Sequence, residues 1–248
     1  MTGKGGVGKT VITVLLAKII SELYNYKLLL IDADPTHPHL SNMVKLKPRR
    51  SLEELRLEVV KKAHKKNETA QKLAERIDFD VYKGMAESKN FCLFSIGQPK
   101  GPGCFCPSNI LLRKVIESIS KDFDIILIDG EAGLEQINRM VLNSIDILII
   151  ITDLSLRSIE TANSIRNQAK KYTNYKNLGV LINKAKGNID IIANKLKELE
   201  LPLIGSIPED NIIMEFDLQG KPLIDIPKDS VSYESLKNAI EELFSSFN

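Results

Sequence analysis

Two stretches of the sequence place chemistry-bearing residues at telling spacings. The first is "GKGGVGKT", Gly3 to Thr10, which fits the pattern G-x-x-x-x-G-K-[ST] in full. Gly3, Gly5, Gly6 and Gly8, with Lys4 and Val7 between them, form a loop whose backbone N–H groups can wrap phosphate oxygens. A helical pattern follows, and a helix N-terminus favours anions. In such a loop Lys9 reaches the β- and γ-phosphates and the Thr10 hydroxyl binds Mg²⁺. A chance glycine-rich turn is the competing reading, and the full motif followed by a helix argues against it.

The second stretch is "GPGCFCPSN", Gly101 to Asn109. Gly101, Pro102, Gly103 and Pro107 break regular structure, so a loop can bring Cys104 and Cys106 to one side. A disulfide between such close neighbours would be strained. Two thiolates make only half of a four-ligand set. The simplest completion is a two-fold dimer in which both pairs meet on the axis. Four thiolates suit Zn²⁺ when tetrahedral and accept Ni²⁺ when planar. Two buried apolar cysteines in a surface turn remain the plain alternative. The third cysteine, Cys92, lies in the apolar run "FCLFSI" and reads as core.

The elements that would position these residues follow from hydrophobic patterning. Short apolar runs occur at 27–32, 91–96, 124–129, 146–151, 178–183 and 201–207. Runs apolar on both faces are the mark of buried parallel strands. Helical patterns lie between them near 9–24, 51–77, 108–121, 133–143, 157–172 and 187–199. Ser51 and Glu54 have capping-box spacing. A closing helix near 231–247 carries Tyr233, Leu236, Ile240, Leu243 and Phe247 on one stripe and reads as docked on the core. The alternation predicts an α/β fold: one doubly wound, mostly parallel sheet with helices on both faces, filling residues 1–248 as a single P-loop domain.

Composition narrows the function classes. At 248 residues with 27% charged side chains and a net charge of +2, no strong field argues for nucleic acid or membrane. Three cysteines cannot staple a secreted scaffold. Lys4 and Lys9 before "VITVLLA" superficially resemble a leader, but Lys18 interrupts the apolar run and the glycines belong to the phosphate loop. The expectation is a cytoplasmic protein.

One feature of the pattern is discordant. A P-loop follows a strand, yet only Met1 and Thr2 precede Gly3, so the first strand is expected to be missing. About five apolar residues at roughly 1.5–3 kcal/mol each rival the roughly 5–15 kcal/mol stability of a whole domain. The expectation is that the natural start lies upstream of Met1. A chain that does begin here should be poorly stable or have a distorted pocket.

Lys4 in "KGGVGKT" resembles the signature lysine of the deviant Walker A ATPases, which include the septum-site and plasmid-partition ATPases and the nitrogenase iron protein. The resemblance runs along nearly the whole chain. It implies that Lys4 contacts nucleotide phosphates, in many cases across a nucleotide-sandwich homodimer. "IDADP" (Ile31–Pro35) resembles switch I, implying that Asp34 orients the attacking water and Asp32 lies near Mg²⁺. "LIDGEAGLE" (Leu127–Glu135) resembles Walker B and switch II, implying Mg²⁺ at Asp129 and γ-phosphate sensing at the Gly133 backbone. "INK" (Ile182–Lys184) places Asn183 as the purine-recognising asparagine. "IPED" (Ile207–Asp210) brings Pro208 and Asp210 over the base. Lys4, Lys9, Asp34 and Asp129 are then the catalytic set, with ATP and Mg²⁺ as cofactors.

The stretch Gly97–Arg113, "GQPKGPGCFCPSNILLR", is similar to the nickel-inserting ATPases that mature carbon monoxide dehydrogenase, the CooC type, and their acetyl-CoA synthase counterparts. Gln98 and Phe105 depart from the arginine and tyrosine expected there. The resemblance implies Ni²⁺ at Cys104 and Cys106 on the dimer axis and a nickel-dependent client enzyme, with no membrane or nucleic-acid partner. A positioning or partition ATPase acting on membrane or DNA is the rival reading, and an Fe–S electron carrier the third. His37 and His39 read as solvated rather than as nickel ligands. "KKAHKK" (Lys61–Lys66) reads as a solvated helix face. "TDLSLRSIETA" (Thr152–Ala162) matches the family without a derivable role.

Overall fold

The computed structural model describes residues 1–34, 39–58, 80–98, 114–131 and 144–245. Eight strands are described: β1 (Thr2–Gly3), β2 (Leu28–Ala33), β3 (Ala86–Glu87), β4 (Phe91–Ser95), β5 (Ile125–Gly130), β6 (Ser144–Thr152), β7 (Asn174–Ala185) and β8 (Leu203–Pro208). They pair in the orders β3-β4-β2-β5 and β1-β6-β7-β8. All pairings are parallel except β3 with β4. This is the expected α/β architecture. β2, "LLLIDA", is buried at all six positions, as a strand covered by helices on both faces must be.

The six labelled helices are α1 (Lys9–Leu23), α2 (Leu40–Met43), α3 (Leu156–Tyr172), α4 (Asp190–Glu198), α5 (Asn211–Leu218) and α6 (Val231–Ser245). Further helical segments lie at 52–58, 80–84 and 114–119. The capping box forms as expected: Ser51 N–H donates to Glu54 Oε2 at 3.1 Å and Glu54 N–H to Ser51 Oγ at 3.3 Å. α1 buries Ile12, Val14, Leu15, Leu16, Ile19 and Ile20 almost completely. A helix apolar around most of its girth belongs inside the protein. α6 docks Tyr233, Leu236 and Ile240 into the same core. Phe247 of the expected stripe lies outside the described residues. α5, "NIIMEFDL", had no counterpart among the expected helices. Its apolar residues are half-buried or exposed, so no clean stripe announces it.

The strand expected to be missing before the P-loop is present as two residues. Thr2 and Gly3 pair in parallel with Ile150 and Ile151 of β6. On the other side the Met1 amine donates to Ile128 O at 2.7 Å, and Gly130 N–H donates to Met1 O at 3.1 Å. Met1 thus ties β5 to β6 and makes the two sets of strands one surface. Ile125, Ile126, Leu127 and Ile128 on β5 are only half-buried.

Leu236→Ala should show how much of the fold rests on α6. Leu236 is fully buried, and such truncations cost about 2–5 kcal/mol. Urea unfolding should report a loss in that range.

Candidate nucleotide-phosphate site

The C-terminal ends of β1, β2, β5 and β7 converge on the P-loop, the place where open parallel sheets bind ligands. Two glycines show why the loop has its sequence. A Cβ on Gly3 would lie 2.2 Å from Ile151 O, and one on Gly8 would lie 2.4 Å from Asn183 Nδ2. Gly8 also sits at φ 89° and forms the N-cap of α1 without a side-chain cap. The first-turn N–H groups of α1 therefore face the loop as donors. Val7 is fully buried beneath it.

Lys9 is the first residue of α1 and is nearly buried. Its ammonium donates to Lys4 O at 3.4 Å. Burial pulls its pKa below the ordinary lysine value, while the Asp129, Asp34 and Glu131 carboxylates push it back up. One turn on, Thr13 Oγ1–H lies 3.0 Å from Lys9 O and 3.3 Å from Asp129 Oδ1. The Thr10 hydroxyl also bonds Asp129. Thr13 was not anticipated. Its signal was the i+4 spacing from Lys9, which puts both on one helix face.

Asp32 and Asp129 are register partners on neighbouring strands. They are 1% and 2% exposed, so both acids are sequestered from water. Burial, the adjacent Asp129 and Asp34 push the Asp32 carboxyl up to about 7, against bonds from the Asp34 and Leu40 backbones. The Asp34 N–H donates to Asp32 Oδ1 at 3.4 Å. Among the described residues, no group bonds the buried Asp32 Oδ2. Burial also raises Asp129, opposed by Thr10, the Met1 ammonium, Thr13 and Lys9. Two buried acids, one with an orphaned oxygen, beside a threonine hydroxyl form a donor set of hard oxygens. That set fits Mg²⁺, which takes one or two carboxylates and keeps the rest of its shell as water and phosphate.

The other candidate residues are placed as follows. The Lys4 ammonium lies 3.6 Å from Asp153 Oδ2 just after β6, and both are about one-third exposed. Burial raises the Asp153 carboxyl, but bonds from Ser155 and the Lys4 charge outweigh it and hold it below the ordinary range. Ser155 in turn caps α3 by accepting from Ser158 N–H. The segment "TDLS" therefore gains a role as the holder of Lys4, signalled by its cap-like residues. Asn183, 4% exposed, donates from Nδ2 to Val7 O at 2.8 Å. Pro208 closes β8. Asp210 caps α5, accepting from Ile212 N–H at 2.9 Å, Ser230 Oγ at 2.5 Å and Ser232 N–H at 3.0 Å. Burial raises this carboxyl, and those bonds overcome it and hold the pKa low.

Gly133, Cys104 and Cys106 lie outside the described residues, as do His37 and Lys61–Lys66. Cys92 is half-buried on β4 against the core, and burial raises its thiol. Among the described residues no three His, Cys, Asp or Glu side chains are gathered to hold a metal. Nor is any described helix long and apolar enough to cross a membrane.

The raised Asp32 pKa sets a sign for pH dependence. Between about pH 4 and 7 the unfolded chain has lost this proton and the folded protein keeps it, so stability falls as pH rises through that window. Asp32→Asn should flatten the fall. It should exceed the wild type at pH 8 by on the order of 4 kcal/mol, read from urea midpoints at pH 5 and pH 8.

A family model described as the CobQ/CobB/MinD/ParA nucleotide binding domain matches residues 1–223. An uncharacterized ATP-binding protein of Methanocaldococcus jannaschii is 35% identical, over 98% of this chain and 96% of its own length. The carbon monoxide dehydrogenase accessory protein CooC of Rhodospirillum rubrum is 28% identical, over 91% of this chain and 89% of its own. Among solved structures, the septum site-determining protein MinD of Pyrococcus horikoshii, complexed with Mg-ADP, superposes with a TM-score of 0.69 at 22% identity, covering 100% of this chain and 98% of that one. With its P-loop built at the head of a parallel sheet, this chain belongs to the CobQ/CobB/MinD/ParA family of P-loop NTPases.

Proposed function

We propose that the protein is a Mg²⁺-dependent ATPase that carries nickel to an enzyme of the carbon monoxide dehydrogenase or acetyl-CoA synthase class. The nucleotide half of this reading is supported by the gathering of Lys9, Thr10, Asp32 and Asp129 at the uncapped N-terminus of α1. Lys9 would neutralise the β- and γ-phosphates, and the first-turn N–H groups would bind their oxygens. Thr10, Asp129 and Asp32 would hold Mg²⁺, which supplies charge neutralisation on the phosphates. Asp34, just past the end of β2 that carries Asp32, would orient the attacking water. Asn183 gives one Nδ2 hydrogen to the loop, and its Oδ1 would accept from a purine amino group. Pro208 and Asp210 would close that side, and the Gly133 N–H would sense the γ-phosphate.

The cargo half rests on Cys104 and Cys106. The positioning reading explains the P-loop but not the paired cysteines, and one relative is a carbon monoxide dehydrogenase accessory protein. Two chains would each supply two thiolates to one Ni²⁺ on a two-fold axis, with Zn²⁺ as the competing ion. Lys4, held by Asp153 in the single chain, would transfer to nucleotide phosphates as the dimer closes. Loss of γ-phosphate would loosen switch I and switch II. ATP and Ni²⁺ binding would be coupled equally in both directions.

The second reading is a septum-site or partition ATPase, favoured by a Helicobacter pylori MinD relative 30% identical over 90% of this chain. Equilibrium dialysis separates the two. Wild type should bind about one Ni²⁺ per dimer, and Cys104→Ser/Cys106→Ser should lose it while keeping ATP binding. Unchanged stoichiometry in the double variant would remove the cargo claim, and co-sedimentation with vesicles or DNA at physiological salt would then support the positioning reading. Lys9→Ala should cut ATP turnover by at least about a hundredfold in a phosphate-release assay.

A further inference from the structure

The end of β7 carries a distortion that the nucleotide reading leaves unexplained. The β7–β8 register shifts between Ile182 and Ala185. Lys184 within that shift has φ 56°, in the left-handed region that non-glycine residues avoid. In a regular strand, successive side chains point to opposite faces. Here two successive side chains reach the same loop. Asn183 Nδ2 donates to Val7 O at 2.8 Å, and Lys184 Nζ donates to Gly6 O at 3.2 Å.

We propose that Lys184 is a positioning residue for phosphate binding, which ties back the Gly6 carbonyl as Asn183 ties back that of Val7. A trans peptide is planar, with its C=O and N–H pointing in opposite directions. Drawing the Gly6 carbonyl toward Lys184 therefore turns the Val7 N–H away from β7. Drawing the Val7 carbonyl toward Asn183 does the same for the Gly8 N–H. Gly6 at φ 82° and Gly8 at φ 89° allow the alternation, and successive N–H groups so turned make an anion-binding concavity. Lys184 acts on the phosphate only through the loop. The left-handed backbone is what lets an exposed lysine reach back to Gly6, so the strain is retained for placement of the side chain.

This inference rests on the loop being a phosphate site, and the test separates the two claims. ADP and adenosine affinities are measured by displacement of a fluorescent nucleotide from wild type, Lys184→Met and Lys184→Arg. Lys184→Met should bind ADP about tenfold more weakly, with adenosine affinity and urea midpoint unchanged. Lys184→Arg, which keeps a long donor, should stay within about twofold of wild type. The loss in Lys184→Met should persist in 0.5 M salt, about where screening removes a purely long-range charge effect. Wild type failing to bind ADP would overturn the phosphate site and this inference together. Wild-type binding with an unaltered Lys184→Met, an equal loss for adenosine, or a loss abolished by salt would overturn the role of Lys184 alone.

Discussion

Two carboxylates that face each other across neighbouring parallel strands, both cut off from water, set the electrostatics of the whole site. Asp32 and Asp129 are buried register partners near the C-terminal ends of β2 and β5. Low dielectric makes each resist ionisation, and proximity makes each resist the other. The surrounding bonds offset part of that cost. Thr10 and Thr13 donate to Asp129, and the Lys9 ammonium stands close by. Among the described residues, Asp32 has only backbone donors on one oxygen and none on the other. On the proposed reading, a cation bound at this pair would replace a proton. That need explains why a β-strand end with two acids is stable beside a phosphate loop, where negative charge would otherwise repel the ligand.

Around this pair, the loop is held from three sides. β6 fixes Gly3 by backbone pairing so tightly that no Cβ fits. β7 supplies Asn183 against the Val7 carbonyl. The turn after β6 supplies Asp153 against Lys4. None of these contacts is large in energy. Together they leave the loop few conformations, and a pre-shaped loop binds phosphate without first losing entropy. The Lys4–Asp153 pair differs from the others in being one-third exposed, so water screens it and its release costs little. The holding contacts are thus graded from rigid at Gly3 to yielding at Lys4.

Much of this was legible in the sequence. The six apolar runs became β2 and β4 to β8, because isoleucine- and leucine-rich runs apolar on both faces have few other places to lie. The P-loop was legible for the same reason that Gly3 and Gly8 are needed: their neighbours leave no room for another residue. The roles of Asp153, Thr13 and Lys184 were not legible, since each depends on which elements become neighbours in space. Asp210 was read from "IPED" as closing over the base; its bonds to α5 and to the start of α6 were not legible. The first strand looked absent from the pattern, because two residues are too few to show alternation. Met1 and the β6 backbone supply pairing that no side-chain pattern encodes.

The claim that a cation replaces a proton at Asp32 can be measured directly by calorimetry of Mg·ADP binding at pH 7 in two buffers of different ionisation enthalpy. With the Asp32 carboxyl at about 7, the site is about half protonated before binding. Wild type should then release about half a proton more than Asp32→Asn, with the difference vanishing at pH 9. Equal proton release by the two proteins at pH 7, or net uptake by the wild type, would contradict the account.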